Sequence, residues 1–142
     1  MLKKNVLIVF ALTMQLYSCS TNRIQEEDLF IVWRYDSVKI HEEEVIQNYT
    51  RKAHIGFKNA FGRYLVLPST QAVLDIADWQ LHYEGGRNIL EVTNSQTGNF
   101  DATYLASLEH DDGLRRLTLV SGDICLILIS DTFSQGNLLI GD

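Results

Sequence analysis

Apolar residues recur along this chain in three regimes. Residues 6–12, Val6-Leu7-Ile8-Val9-Phe10-Ala11-Leu12, form an unbroken apolar run behind Lys3 and Lys4, and residues 19–28 carry no apolar pattern at all. From residue 29 onward, short apolar or alternating stretches are separated by turn residues at intervals of about 8 to 12 positions, the spacing of an antiparallel meander. Residues 29–40 are rich in aromatic and β-branched side chains and predict a long first strand. Its alternation is sharpest where Val38 and Ile40 interleave with Ser37 and Lys39. Residues 42–49 fit one or two helical turns opened by Glu42, Glu43 and Glu44; the competing reading makes Val45 to Ala53 a connection or strand leading into His54-Ile55-Gly56-Phe57, and this extended reading is preferred.

The punctuation then becomes regular. Phe57 and residues 61–67 read as strands around a Lys58-Asn59 turn, and Pro68 ends the run by removing a ladder donor. Ser69 or Thr70 is placed to cap a short helical turn through Ala72, Val73 and Ile76. Trp79, Leu81 and Tyr83 alternate with Gln80, His82 and Glu84, which predicts a half-buried strand, and Gly85-Gly86 supplies the positive φ angles of a tight hairpin into residues 88–93. Residues 94–99 are turn-rich. Strands follow at residues 100–109, 114–120, 124–129 and 138–140, with turns at Asp111-Asp112-Gly113 and Ser121-Gly122-Asp123. Residues 124–129 are apolar on both faces, so something covers that strand twice. About eight antiparallel strands must hide their edges, and closure into a small up-and-down barrel does so best, with a β-sandwich as the competing architecture.

The amino-terminal run has the parts of an export signal: a basic flank, a short apolar core and a small residue before a cysteine. A spanning helix needs about 20 consecutive apolar residues, and Thr13 and Gln15 interrupt this run well before that. Leu16-Tyr17-Ser18-Cys19 resembles the lipobox of bacterial lipoproteins, with leucine three positions before the cysteine and a small residue just before it. The resemblance implies cleavage between Ser18 and Cys19. It also implies diacylglycerol on the Cys19 sulfur and a further acyl chain, such as palmitate, on the new amino group. With about 0.8 kcal/mol per buried methylene, two or three chains hold a domain on a membrane where one would not. Ser20 stands where an aspartate would favour inner-membrane retention, so the resemblance implies the outer membrane facing the periplasm. Glu26-Glu27-Asp28 keep surface exposure open. The organisation expected is a signal peptide over 1–18, a flexible tether over 19–28 and a β domain over 29–142.

The β domain resembles the lipocalin-like small lipoproteins common in Bacteroidetes. The likeness lies in a tryptophan in the first strand (Trp33), Phe57-x-x-x-Phe61-Gly62-Arg63-Tyr64, and Asp78-Trp79-Gln80-Leu81 ahead of Gly85-Gly86 and paired strands. Ile31 stands where lipocalins proper carry the glycine of Gly-x-Trp. The resemblance implies a barrel interior lined by Trp33, Tyr35, Tyr64, Trp79, Tyr83 and Tyr104, which either stack on a flat or greasy ligand or fill the core themselves. Asp36-Ser37-Val38 also resembles the short O-glycosylation motif of that group.

Composition removes several function classes. The 142 residues are 46% hydrophobic and 21% charged with a net charge of -6, which is globular and acidic. About 120 residues remain after the signal, enough for one core. Basic residues cluster no further than Arg51-Lys52 and Arg115-Arg116, so nucleic acid is not an expected partner. Cys125 lies in an apolar strand and reads as core filler rather than a nucleophile. His41-Glu42-Glu43-Glu44 lacks the second histidine of a zinc helix, and His110-Asp111-Asp112 lacks the spacing of a calcium loop. His54 and His82 are lone strand histidines. With no nucleophile elbow or phosphate loop, no catalytic residue, metal or cofactor beyond the lipid is expected. The expected function is a non-enzymatic, membrane-anchored envelope lipoprotein that binds a small ligand or an envelope component. The alternatives are a structural accessory lipoprotein of an envelope or secretion assembly, and an enzyme of unrecognised type.

Overall fold

Period-two alternation places one residue set of each strand on a common face, and here that face is the core. The computed structural model describes residues 22–49, 57, 64–70 and 74–131. The expected signal peptide, Cys19, the turn expected at Lys58-Asn59, residues 71–73 of the expected capped turn and the strand expected at 138–140 lie outside them. Eight antiparallel strands form a single curled half-barrel sheet: β1 (Arg34–Ile40), β2 (Glu43–Glu44), β3 (Leu65–Leu67), β4 (Asp75–Glu84), β5 (Arg87–Thr93), β6 (Ala102–Asp111), β7 (Leu114–Ser121) and β8 (Ile124–Asp131). The order is β2-β1-β8-β7-β6-β5-β4-β3, so the meander from β3 to β8 is extended by β1, which returns to pair with β8. The all-β meander is as expected, and the described strands make one sheet rather than the two of a sandwich.

Two tight turns show why the sequence folds back where it does. Gly85 and Gly86 have φ of +59° and +76°, and Asp112 and Gly113 have +44° and +81°, the left-handed pair that matches the twist of a two-residue hairpin. These two turns sit at one end of the sheet. The 94–101 connection and the Gly122 turn sit at the other.

The concave face is dry. Trp33, Tyr104, Leu90, Leu117, Leu119, Leu126 and Leu128 are each at most 1% exposed, and cross-strand pairs such as Leu117 with Leu128 and Leu119 with Leu126 run along it. The register shift between Tyr35 and Ser37 is a β-bulge at Asp36. It lets Tyr35 and Val38, an odd number of positions apart, both face inward. Tyr35 also reaches across the hollow: its hydroxyl donates to the Val66 carbonyl of β3 at 3.1 Å, linking regions near opposite limits of the sheet order.

Three local expectations are corrected. The first strand does not start at residue 29, because α1 (Glu26–Leu29) precedes it and β1 begins at Arg34. The acids of α1 sit at its positive end, and the Gln25 N–H donates to the Asp28 carboxylate at 2.9 Å. Residues 42–49 are mixed: β2 is followed by a 3-10 turn (Ile46–Asn48), with Glu44 accepting from the N–H groups of Val38 and Ile46. Ile76 belongs to β4 rather than to a helical turn, since burial alternates from Asp75 onward.

Candidate functional site

The six aromatics divide into two groups. Trp33, Tyr35, Trp79 and Tyr104 are buried on the concave face, and each polar atom ends on a main-chain carbonyl. Trp33 Nε1 donates to Leu29 at 3.1 Å, Tyr35 to Val66, Trp79 Nε1 to Phe57 at 2.7 Å, and the Tyr104 hydroxyl to Phe100 at 2.7 Å. Phe57 and Phe30 pack on the Trp79 ring at centroid distances of 5.3 and 6.3 Å. Burial pushes the Tyr35 hydroxyl well above the ordinary phenol range, with Tyr104 and the Asp75 carboxylate adding to it. Tyr104 is raised by burial and by Asp101. Tyr64 packs against the core while partly exposed. Tyr83 is 41% exposed, and the Arg23 guanidinium lies 5.3 Å from its ring centroid.

Two inward-facing polar residues, Asn88 and Asp75, tie distant segments to the sheet. Asn88, in phase with Leu90 and Val92, is 1% exposed. Its Oδ1 accepts from the Ile24 N–H at 2.8 Å and its Nδ2 donates to the Asn22 carbonyl at 3.0 Å. Ile24 and Leu29 are thereby buried, and residues 22–33 cross from β5 to β1 at the end that carries the Gly85-Gly86 turn. Of the segment read as a flexible tether, Asn22 and Ile24 are therefore fixed to β5, because Asn88 meets backbone groups that would otherwise need water. Asp75, in phase with Ala77 and Trp79, is also 1% exposed, and it holds the 94–101 connection by accepting from the Gln96 N–H at 2.8 Å and the Thr97 hydroxyl at 2.5 Å. The sequence signal for both was a polar residue in apolar phase, which the reading passed over.

The convex face carries a row of partly exposed apolar residues. Ile89, Leu105, Val120 and Cys125 are direct cross-strand neighbours on β5 to β8, and Leu105 and Val120 are 48% and 42% exposed. A groove of about 430 Å3 beside them is lined by Arg87, Asn88, Leu105, Ala106, Ser107 and Val120. Another of about 720 Å3 is lined by Arg23, Leu81, Tyr83, Ile89 and the His82–Glu91 pair, whose closest atoms are 3.4 Å apart.

The remaining candidate groups sit apart. His41 pairs with Asp123 at 3.1 Å, while the Glu44 carboxylate takes the Ser37 hydroxyl and two backbone N–H groups. Ser37, the hydroxyl of the glycosylation-like triplet, is buried under that contact. Cys125 is half-buried on the convex face rather than inside the core. His54 lies outside the described residues. Among the described residues no group of three or more His, Cys, Asp or Glu is placed to hold a metal ion, and no helix is long and apolar enough to cross a membrane. Comparison with protein-family models, with curated proteins and with solved structures finds no match to this chain.

Proposed function

We propose that this chain is a non-enzymatic lipoprotein of the bacterial envelope, held on the outer membrane by acyl chains on Cys19 and facing the periplasm. Its β domain binds an envelope component through its outer surface. The observation that carries this reading is the contrast between the two faces of the sheet. On the concave face the aromatic polar atoms are already taken by backbone carbonyls, so a ligand entering there would have to displace core contacts. On the convex face an apolar row stands exposed beside Arg87. The same row would serve as a subunit contact if the protein is a structural accessory of an envelope assembly, and that is the second reading.

Anchoring is tested by replacing Cys19 with Ala and fractionating cells. The variant is expected in the soluble periplasmic fraction, and tight membrane retention would contradict the lipid assignment. Function is tested by affinity recovery of the acylated protein from its native envelope. Copurifying phospholipid without a stoichiometric protein supports surface binding to the envelope itself. One stoichiometric protein supports the structural-accessory reading.

A further inference from the structure

We infer that the flank of the domain beside the Asn88 contact, where Arg87, Leu105 and Val120 line one groove and Arg23 stacks on the nearby Tyr83, lies against the phospholipid surface that holds the anchor. The inference rests on the acylation of Cys19 proposed above and adds the face and the partner. Its geometric basis is the Asn88 clamp. Asn22 and Ile24 are tied to β5 by two hydrogen bonds, so the sheet cannot drift from the point where the chain leaves it. Only three residue steps separate Asn22 from Cys19, and at ~3.3–3.6 Å per step the acylated sulfur's residue lies within about 11 Å of Asn22. A headgroup region is comparable in depth, roughly 5–8 Å per leaflet. Nothing longer than that separates this end of the β domain from lipid.

The groups found there suit that position. Leu105 and Val120 are about half exposed and adjacent in register, and Asn88 lines the same groove. Tyr83 presents an aromatic ring with a polar tip, the side chain favoured at headgroup level. Arg87 borders the apolar pair and Arg23 stacks on Tyr83, while Glu84, directly opposite Arg87 in the ladder, and Glu91 line the neighbouring groove, so the apolar pair and the Tyr83 ring carry the contact and the arginines supply local phosphate partners rather than a net positive face. The domain is therefore oriented rather than swinging, with the flank that carries Leu105 and Val120 turned to the bilayer and Ile76, near the start of β4, held away from it.

The test uses the full acylated protein with Cys125→Ser and a single labelling cysteine at Leu105, at Val120 or, as the far-end control, at Ile76, which is 39% exposed. Each form carries an environment-sensitive fluorophore. It is reconstituted into phosphatidylethanolamine and phosphatidylglycerol vesicles that contain an acyl-chain quencher. The expected result is co-flotation with vesicles, a blue shift and loss of emission at positions 105 and 120, and unchanged emission at 76. Co-flotation with all three labels in water, or with equal quenching at 76, would overturn the orientation while leaving the anchor intact. Shielding of 105 and 120 in native membranes but not in pure lipid vesicles would likewise overturn it, in favour of a protein partner on that face. Failure to float would remove the acylation reading and this inference together.

Discussion

Replacing Asn88 with Leu isolates the contact that holds the amino-terminal segment to the sheet. The substitution keeps the volume close while removing Oδ1, which accepts from the Ile24 N–H at 2.8 Å, and Nδ2, which donates to the Asn22 carbonyl at 3.0 Å. Two neutral hydrogen bonds contribute ~0.5–1.5 kcal/mol each, and a buried N–H left without an acceptor costs roughly 1–3 kcal/mol. The segment has an escape from the second cost, because it can leave the sheet and return to water. Leaving forfeits the burial of Ile24, on the order of 1.5–3 kcal/mol, and recovers ~1–2 kcal/mol of backbone entropy per freed residue. The net expectation is a local loss of about 2 kcal/mol, which raises the open population roughly thirty-fold. In a soluble Cys19→Ala form, the Ile24 amide should exchange with deuterium faster by about that factor, while amides of β7 keep their protection. Unchanged exchange at Ile24 would refute the clamp. Equal acceleration throughout β7 would show that the segment has no separate docking equilibrium.

Trp79→Phe removes the donor to the Phe57 carbonyl and part of a buried ring, and should cost roughly 2–4 kcal/mol by urea denaturation. Asp75→Ala frees the Gln96 N–H and the Thr97 hydroxyl. Faster hydrogen exchange confined to the 94–101 connection is expected, with a stability loss of about 2–4 kcal/mol. Tyr35 and Tyr104 have raised phenol pKa values in the folded state, so the stability they confer is full below about pH 10 and is lost as pH rises through their folded values. Absorbance titration of the native protein should ionise fewer tyrosines just above pH ~10 than titration in guanidinium, and coincident curves would contradict their burial. Glu44 feels a desolvation that pushes its carboxyl up, outweighed by the hydrogen bonds from Ser37, Val38 and Ile46 and by the Lys39 charge, which together hold it below 4.5. Its contribution is present above the unfolded pKa and fades as pH falls through the folded one, so the stability gap between wild type and Glu44→Gln should shrink below pH ~4.5.

The hairpins were legible because their turns are chemically explicit: Gly85-Gly86 and Asp112-Gly113 can hold positive φ where other residues resist it. The concave core was legible wherever alternation was strict, as in β4 and β5. Residues 29–33 misled, since aromatic and β-branched composition speaks for a strand whether the side chains serve a ladder or an end cap. Here the Trp33 indole N–H donates back to the Leu29 carbonyl instead. The acids at 26–28 ahead of Leu29 were a helix-start signal already present in the chain. Composition also left the aromatics undivided, because Trp79 and Tyr83 share a phase on β4 and only distance from the sheet end makes one core and the other surface. Asn88 and Asp75 were hidden for a different reason. Each sits in apolar phase, yet the partners that justify it are 64 and 21 residues away in sequence, and no local pattern links them.

The central claim is tested most directly by intact and peptide mass spectrometry of the protein recovered from its native membrane. The account predicts a mature chain that begins at Cys19, with the mass of a diacylglycerol thioether and an amide-linked fatty acid. A chain that keeps residues 1–18, or one that begins elsewhere with an unmodified Cys19, would contradict it.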